Sequence, residues 1–137
     1  MAPQNENKLK HLEFLQLTIT RMNVNSFLVK GWLVTLVAAI FVLSQKDANA
    51  GFLWVAPFIT ILFWILDGFF VSTERKYRSS YDHVRKLEEP QIDFSMDTKT
   101  FEGGRNSFFM CLLSLTLLLF YPLIIIASIL GASILNQ

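Results

Sequence analysis

The sequence predicts an all-α membrane protein with three transmembrane helices, an N-terminal amphipathic helix, a second span that continues as a cytoplasmic helix, and a short extended arm. Three observations carry this prediction. Of the 137 residues 53% are hydrophobic and mean hydropathy is +0.42, which is too apolar for an ordinary soluble domain. Three apolar runs, within 27–44, 52–72 and 107–135, approach or exceed the roughly 20 residues that a helix needs to cross a hydrocarbon core. The second run passes into the basic sequence STERKYRSSYDHVRKL with no Gly or Pro to stop a helix.

Taken in order, residues 1–26 open with a polar stretch and then place Leu9, Leu12, Leu15, Ile19 and Met22 at helical spacing. This mixed-charge amphipathic helix suits the membrane interface or a partner subunit's cytoplasmic helix equally. Asn25 and Ser26 have the chemistry to cap a new helix, so a break is expected before the first span, 27–44. Lys30 and Trp32 near its start suit a cytoplasmic interface. Residues 45–51 read as a short external loop. Ala48-Asn49-Ala50 has signal-peptidase spacing, but the segment before it is far too long for an n-region.

The second span, 52–72, is apolar except for Asp67. Residues 73–106 form the cytoplasmic helix and arm. In the arm, Ile92, Phe94 and Met96 alternate with Asp93, Ser95 and Asp97, as in a short strand or extended segment. Gly103-Gly104 reads as a joint, and Asn106-Ser107 repeats the capping pair before the third span, 107–135. That span holds no charge and is longer than a bilayer requires; Pro122 is expected to kink it by removing the bond to the Leu118 carbonyl.

Orientation follows from counting cations. The N-terminus and 73–106 share a side that holds Lys8, Lys10, Arg21, Arg75, Lys76, Arg78, Arg85, Lys86, Lys99 and Arg105, against Lys46 opposite. The positive-inside rule therefore places the N-terminus in the cytoplasm and the C-terminus outside. The lone Cys111 excludes an intrachain disulfide.

Two constellations could carry function. Asp67 and Lys30 lie at matched depth if the first two spans are antiparallel neighbours, so they form either an intramembrane ion pair or part of a permeation path. The basic helix offers Arg75, Lys76, Arg78, Arg85 and Lys86 with Tyr81 interleaved, supported by the i,i+4 pairs Glu74–Arg78, Arg78–Asp82 and Asp82–Lys86. It reads as a helix solvated by anionic headgroups, as a partner of the acidic residues Glu88, Glu89, Asp93 and Asp97, or as a site where cations take phosphates and Tyr81 stacks on a base. In the last span, Ala127-x-x-x-Gly131 and Ser128-x-x-x-Ala132 permit close helix approach, and Ser114 and Thr116 offer hydroxyls to a pore or to the helix backbone.

Enzymatic readings find no support. His11 and His83 stand at no metal-ligand spacing, and no phosphate-binding loop, dinucleotide fingerprint or HExxH is present. No catalytic residue, metal or cofactor is expected.

The stretches ITRMNVNSFLVKGWLVTLVAA and FWILDGFFVSTERKYRSSYDHVR resemble small bacterial membrane effectors of anti-phage defence operons, of the Hailong type. The resemblance covers the first two spans and the cytoplasmic helix. It implies a multi-pass protein of the bacterial inner membrane and a homo-oligomeric channel that depolarises the infected cell. It also implies a nucleotidyltransferase-like partner whose short single-stranded DNA product gates the channel, with Arg75, Lys76, Arg78, Arg85 and Lys86 as the residues that match the ligand-binding role. A pore needs a symmetric ring, because three spans enclose no water path alone. The alternative is a non-conducting anchor for a cytoplasmic enzyme.

Overall fold

The computed structural model describes residues 6–46 and 53–135. Most of the expected external loop, with Ala48-Asn49-Ala50, lies outside the described residues, as do the first five positions. The chain is all-helical: α1 (Glu6–Lys46), α2 (Val55–Val84), α3 (Phe108–Leu112) and α4 (Leu115–Leu135), with three short 3-10 turns between α2 and α3. Among the described residues three helices are long and apolar enough to cross a membrane, within Glu6–Ser44, Val55–Val84 and Leu115–Ile134.

The first difference from the sequence reading is that α1 has no break at 23–26. Its 41 residues run as one helix, about 61 Å at helical rise. Asn25 and Ser26 are mid-helix, and the Ser26 hydroxyl serves a neighbouring helix rather than a free N–H group. Capping preference is a weak local term, and packing along the whole length of α2 outweighs it.

That packing is an antiparallel hairpin. Ile40 meets Leu53 and Ala56 at one end. Lys30 meets Asp67 in the middle. Leu15 packs with Val84 and Ile92, walled by Leu12, Tyr77 and Tyr81, near the other end. The middle of the amphipathic stripe of residues 8–22, Leu12, Leu15 and Ile19, is thus packed within this chain, while Leu9 stays exposed. Lys8 donates from its Nζ to the carbonyl of Leu87 at 2.6 Å, placing a cation on the carbonyl-rich end of α2.

α4 lies along the hairpin. Leu117 and Tyr121 pack with Leu33, and Ala132 packs with Ile40 and Ala56. Three of the small residues singled out in the last span are used inside the chain: Ser128 and Ala132 are buried, and a side chain at Gly131 would collide with the Phe41 ring, while Ala127 is exposed.

The third apolar run is interrupted at Leu113–Ser114, and Pro122 sits within the continuous α4. Ser107 caps α3, accepting from the Met110 amide at 3.3 Å. The same dipeptide, Asn-Ser before Phe, therefore caps a helix at 106–107 and not at 25–26. The interruption leaves the Leu112 carbonyl to the indole of Trp64, which donates to it at 3.1 Å. The Leu112 side chain sits against Gly68, where an added Cβ would force it to shift.

The arm is not a strand. Its polar residues capture their own backbone: Ser95 N–H donates to the Asp93 carboxylate (3.0 Å), Asp97 N–H to the Ser95 hydroxyl (3.1 Å) and Lys99 N–H to the Asp97 carboxylate (3.0 Å). Phe94 takes φ +53°, in the left-handed region, so the alternation of faces is lost; Ile92 is buried while Phe94 and Met96 stay exposed. Gly103 (φ +116°) and Gly104 (φ +51°) form the joint expected there, in a conformation that suits glycine.

Continuity of α1 has a direct test. Asn25→Pro removes a helical N–H and crowds the carbonyl one turn earlier, so unfolding in micelles should show a loss of about 3 kcal/mol or more. Unchanged stability would restore a break at this position.

Candidate functional site

Two neighbouring features make up the site: a charge cluster at Asp67 and a cleft beside it. Asp67 is fully buried. α2 presents it between α1 and α4, and both neighbours supply donors. From α1, Lys30 pairs with Oδ2 and the Ser26 hydroxyl donates to Oδ1. From α4, the Tyr121 hydroxyl donates to Oδ2 at 2.8 Å. Ser26 and Lys30 are one turn apart, and Lys30 Nζ also donates to Ser26 Oγ at 2.8 Å. Four side chains from three helices thus form one closed network around a single carboxylate.

Its orientation is set by packing. The rings of Trp64 and Tyr121 stack nearly parallel (2°) with centroids 5.9 Å apart. Trp64 is itself held by the Leu112 carbonyl, so the break between α3 and α4 helps fix the ring that aims Tyr121. A buried carboxylate with a cation and two further donors is compensated, whereas removing the cation leaves a charge in an apolar setting.

Beside the cluster a cleft of about 420 Å³ is lined by Ser26, Lys30, Glu74, Arg75, Arg78 and Thr116, with Phe27, Phe70 and Leu117 as apolar walls. Lys30 belongs to both features: its side chain is 22% exposed, while that of Asp67 is fully buried.

The structure separates the basic set expected for ligand binding. Arg75 and Arg78 face the cleft. Arg75 donates to the Arg105 carbonyl at 2.9 Å, and Arg78 pairs with Glu74 as the spacing predicts. Lys76 turns to Glu102 at 2.9 Å. Arg85 pairs with Asp82 at 3.2 Å, in place of the Arg78–Asp82 and Asp82–Lys86 pairs expected. Tyr81 is packed in the apolar cluster with Leu15 and Val84 rather than offered as a stacking face. Among the described residues Lys86 has no salt-bridge partner, and none of Glu88, Glu89 and Asp93 pairs with the basic helix, while Asp97 pairs with Lys99; the arm's partner for that helix is Glu102.

Ser26 and Tyr121 are the site residues that the sequence reading missed. A tyrosine in an otherwise chargeless span carries a hydroxyl that needs a partner, and that was the available signal. Of the two hydroxyls weighed for a pore, Thr116 lines the cleft, while Ser114 Oγ is buried without a partner among the described residues. Among those residues no group of His, Cys, Asp and Glu could hold a metal ion.

Comparison with protein-family models, with curated proteins and with solved structures returns no match to this chain.

Tyr121→Phe removes one of three donors to the buried carboxylate while keeping the aromatic stack. The expected loss is about 1.5–3 kcal/mol in micelle unfolding, because the bond goes to a charged group. Ser128→Ala removes a hydroxyl that only back-bonds to the Ile124 carbonyl and should cost less. Equal, small effects would detach Tyr121 from the cluster.

Proposed function

We propose that this chain is the subunit of a homo-oligomeric, ligand-gated ion channel in the bacterial inner membrane, with its N-terminus and the polar extension of α2 in the cytoplasm. On this reading it acts in anti-phage defence by depolarising the cell. Its control lies with a nucleotide or short single-stranded DNA that binds the basic helix and is made by a nucleotidyltransferase-like partner.

The observation that carries the reading is the continuity of α2 from Asp67 to Val84. The intramembrane charge and the basic helix sit on one continuous helix, in which Gly68 is the one Gly or Pro between Asp67 and the helix end. A ligand that favours one position of the cytoplasmic end therefore shifts the span as well, provided it binds the two positions differently. The broad apolar surface supports assembly in a membrane: only 22%, 28% and 22% of the three spanning windows is buried within the chain. The exposed apolar residues of these spans are free to face lipid or further subunits, and a conducting path forms between subunits.

A second reading, a non-conducting anchor for a cytoplasmic enzyme, is favoured by one feature. Leu9, Phe14 and Leu17 on the N-terminal part of α1, and Phe94 and Met96 in the arm, are exposed. Such a surface suits docking of a partner protein.

Ion flux from liposomes separates the two. The channel reading expects flux that changes when short single-stranded oligonucleotides are added, and it expects joint charge reversal at Arg75, Lys76 and Arg78 to abolish that control with the oligomer intact. Absence of flux under every condition would leave the anchor.

A further inference from the structure

The cleft beside Lys30 has a charge arrangement that its own residues do not balance. Three cations line it: Lys30 from α1, and Arg75 and Arg78 from α2. Lys30 is matched by Asp67 and Arg78 by Glu74. Arg75 has no carboxylate within salt-bridge reach among the described residues; its one protein acceptor is the Arg105 carbonyl. A guanidinium has five N–H donors in a fixed fork, so most of its capacity faces the cleft or solvent.

The position of the cleft narrows the ligand further. It runs from Lys30, level with the buried Asp67, to Arg78, beyond the end of the apolar part of α2. Its apolar wall includes Phe27, which is 75% exposed and continuous with the outward apolar face of α1. The cleft thus combines three cations with an apolar wall that is continuous with the outward face of α1. Thr116 adds a hydroxyl at the start of α4.

We infer that this cleft binds a phosphate ester group, with Arg75 as its principal ligand and Lys30, Arg78 and Thr116 around it. Tetrahedral phosphate oxygens accept from a guanidinium fork and an ammonium together, and basic pockets between spanning helices on the cytoplasmic side suit lipid phosphates. A soluble phosphate ester offers the same chemistry. Occupancy reaches the charge cluster through Lys30, because an anion that draws the partly exposed ammonium weakens its hold on Asp67. That consequence rests on the ligand-controlled reading above; the binding itself does not, and it is measured without flux.

The test is native mass spectrometry of the full-length protein in micelles, titrated separately with phosphatidylglycerol, the phosphate-free lipid diacylglycerol and inorganic pyrophosphate. Phosphatidylglycerol or pyrophosphate should bind at least about tenfold more tightly than diacylglycerol. Arg75→Gln, which leaves both ion pairs in place, should lower that binding by about tenfold or more. Lys99→Gln, at an exposed lysine outside the cleft, should leave it unchanged. Retained lipid that pyrophosphate cannot displace assigns the site to a headgroup, and displacement assigns it to a soluble phosphate ester. Circular dichroism confirms that each variant is helical. Equal binding of all three probes, or equal loss in the Arg75 and Lys99 variants, would overturn the inference.

Discussion

A carboxylate placed among apolar helices must find a cation and donors or be neutralised, and Asp67 imposes that requirement on the whole bundle. Its partners are Ser26 and Lys30 on α1 and Tyr121 on α4. Because Ser26 and Lys30 must stand one turn apart to reach it together, α1 stays helical through residues whose local preference is to cap. Because both belong to α1, the register of the α1–α2 hairpin is set. Tyr121 then fixes the rotation of α4, with Trp64 behind its ring. An apolar interface alone would allow the helices to slide, and one satisfied charge does not.

The hairpin continues beyond the apolar zone, where the constraint changes from charge to burial. Leu15, Val84 and Ile92 form a separate small core, and Lys8 closes the end of α2. The segment from 99 to 107 is fastened to α2 by polar contacts: Lys76 to Glu102, Ser72 to the Asn106 carbonyl (2.7 Å) and Asn106 to Ser79 (2.9 Å). The basic helix is therefore already engaged along much of its length. Arg75 and Arg78 look into the cleft beside the charge cluster, while Lys76 and Arg85 are held by acids elsewhere. In the proposed channel this division would give an incoming phosphate one preferred approach, next to the residue that neutralises Asp67.

Much of this architecture was legible from residue patterns with a strong physical signal. The three apolar runs, the uninterrupted passage into the basic helix and the cap at Ser107 each depend on composition or on a local rule. The matched depth of Lys30 and Asp67 followed from counting residues in antiparallel neighbours. What was not legible depended on partners distant in sequence. Ser26 looked like a cap because nothing local indicated that Asp67 would take its hydroxyl. The interruption fell at Leu113–Ser114, where Gly68 and Trp64 accommodate it, although Pro122 was the visible disruptive residue. The alternation of 92–97 suggested a strand or an extended arm; no strand forms, because Asp93, Ser95 and Asp97 spend their side chains on their own backbone. Spacing on one helix also could not reveal that the basic residues diverge among Glu74, Asp82, Glu102 and the cleft.

The claim that one charge cluster holds three helices in register is tested most directly by a stability cycle on its ion pair. Unfolding in micelles would be compared for the native chain, Lys30→Met, Asp67→Asn and the double variant. Lys30→Met should lose about 3–5 kcal/mol, because it leaves a carboxylate buried without its cation, and adding Asp67→Asn should recover most of that loss. Single-variant losses that simply add in the double variant would contradict the account, since the two residues would then stabilise the bundle independently.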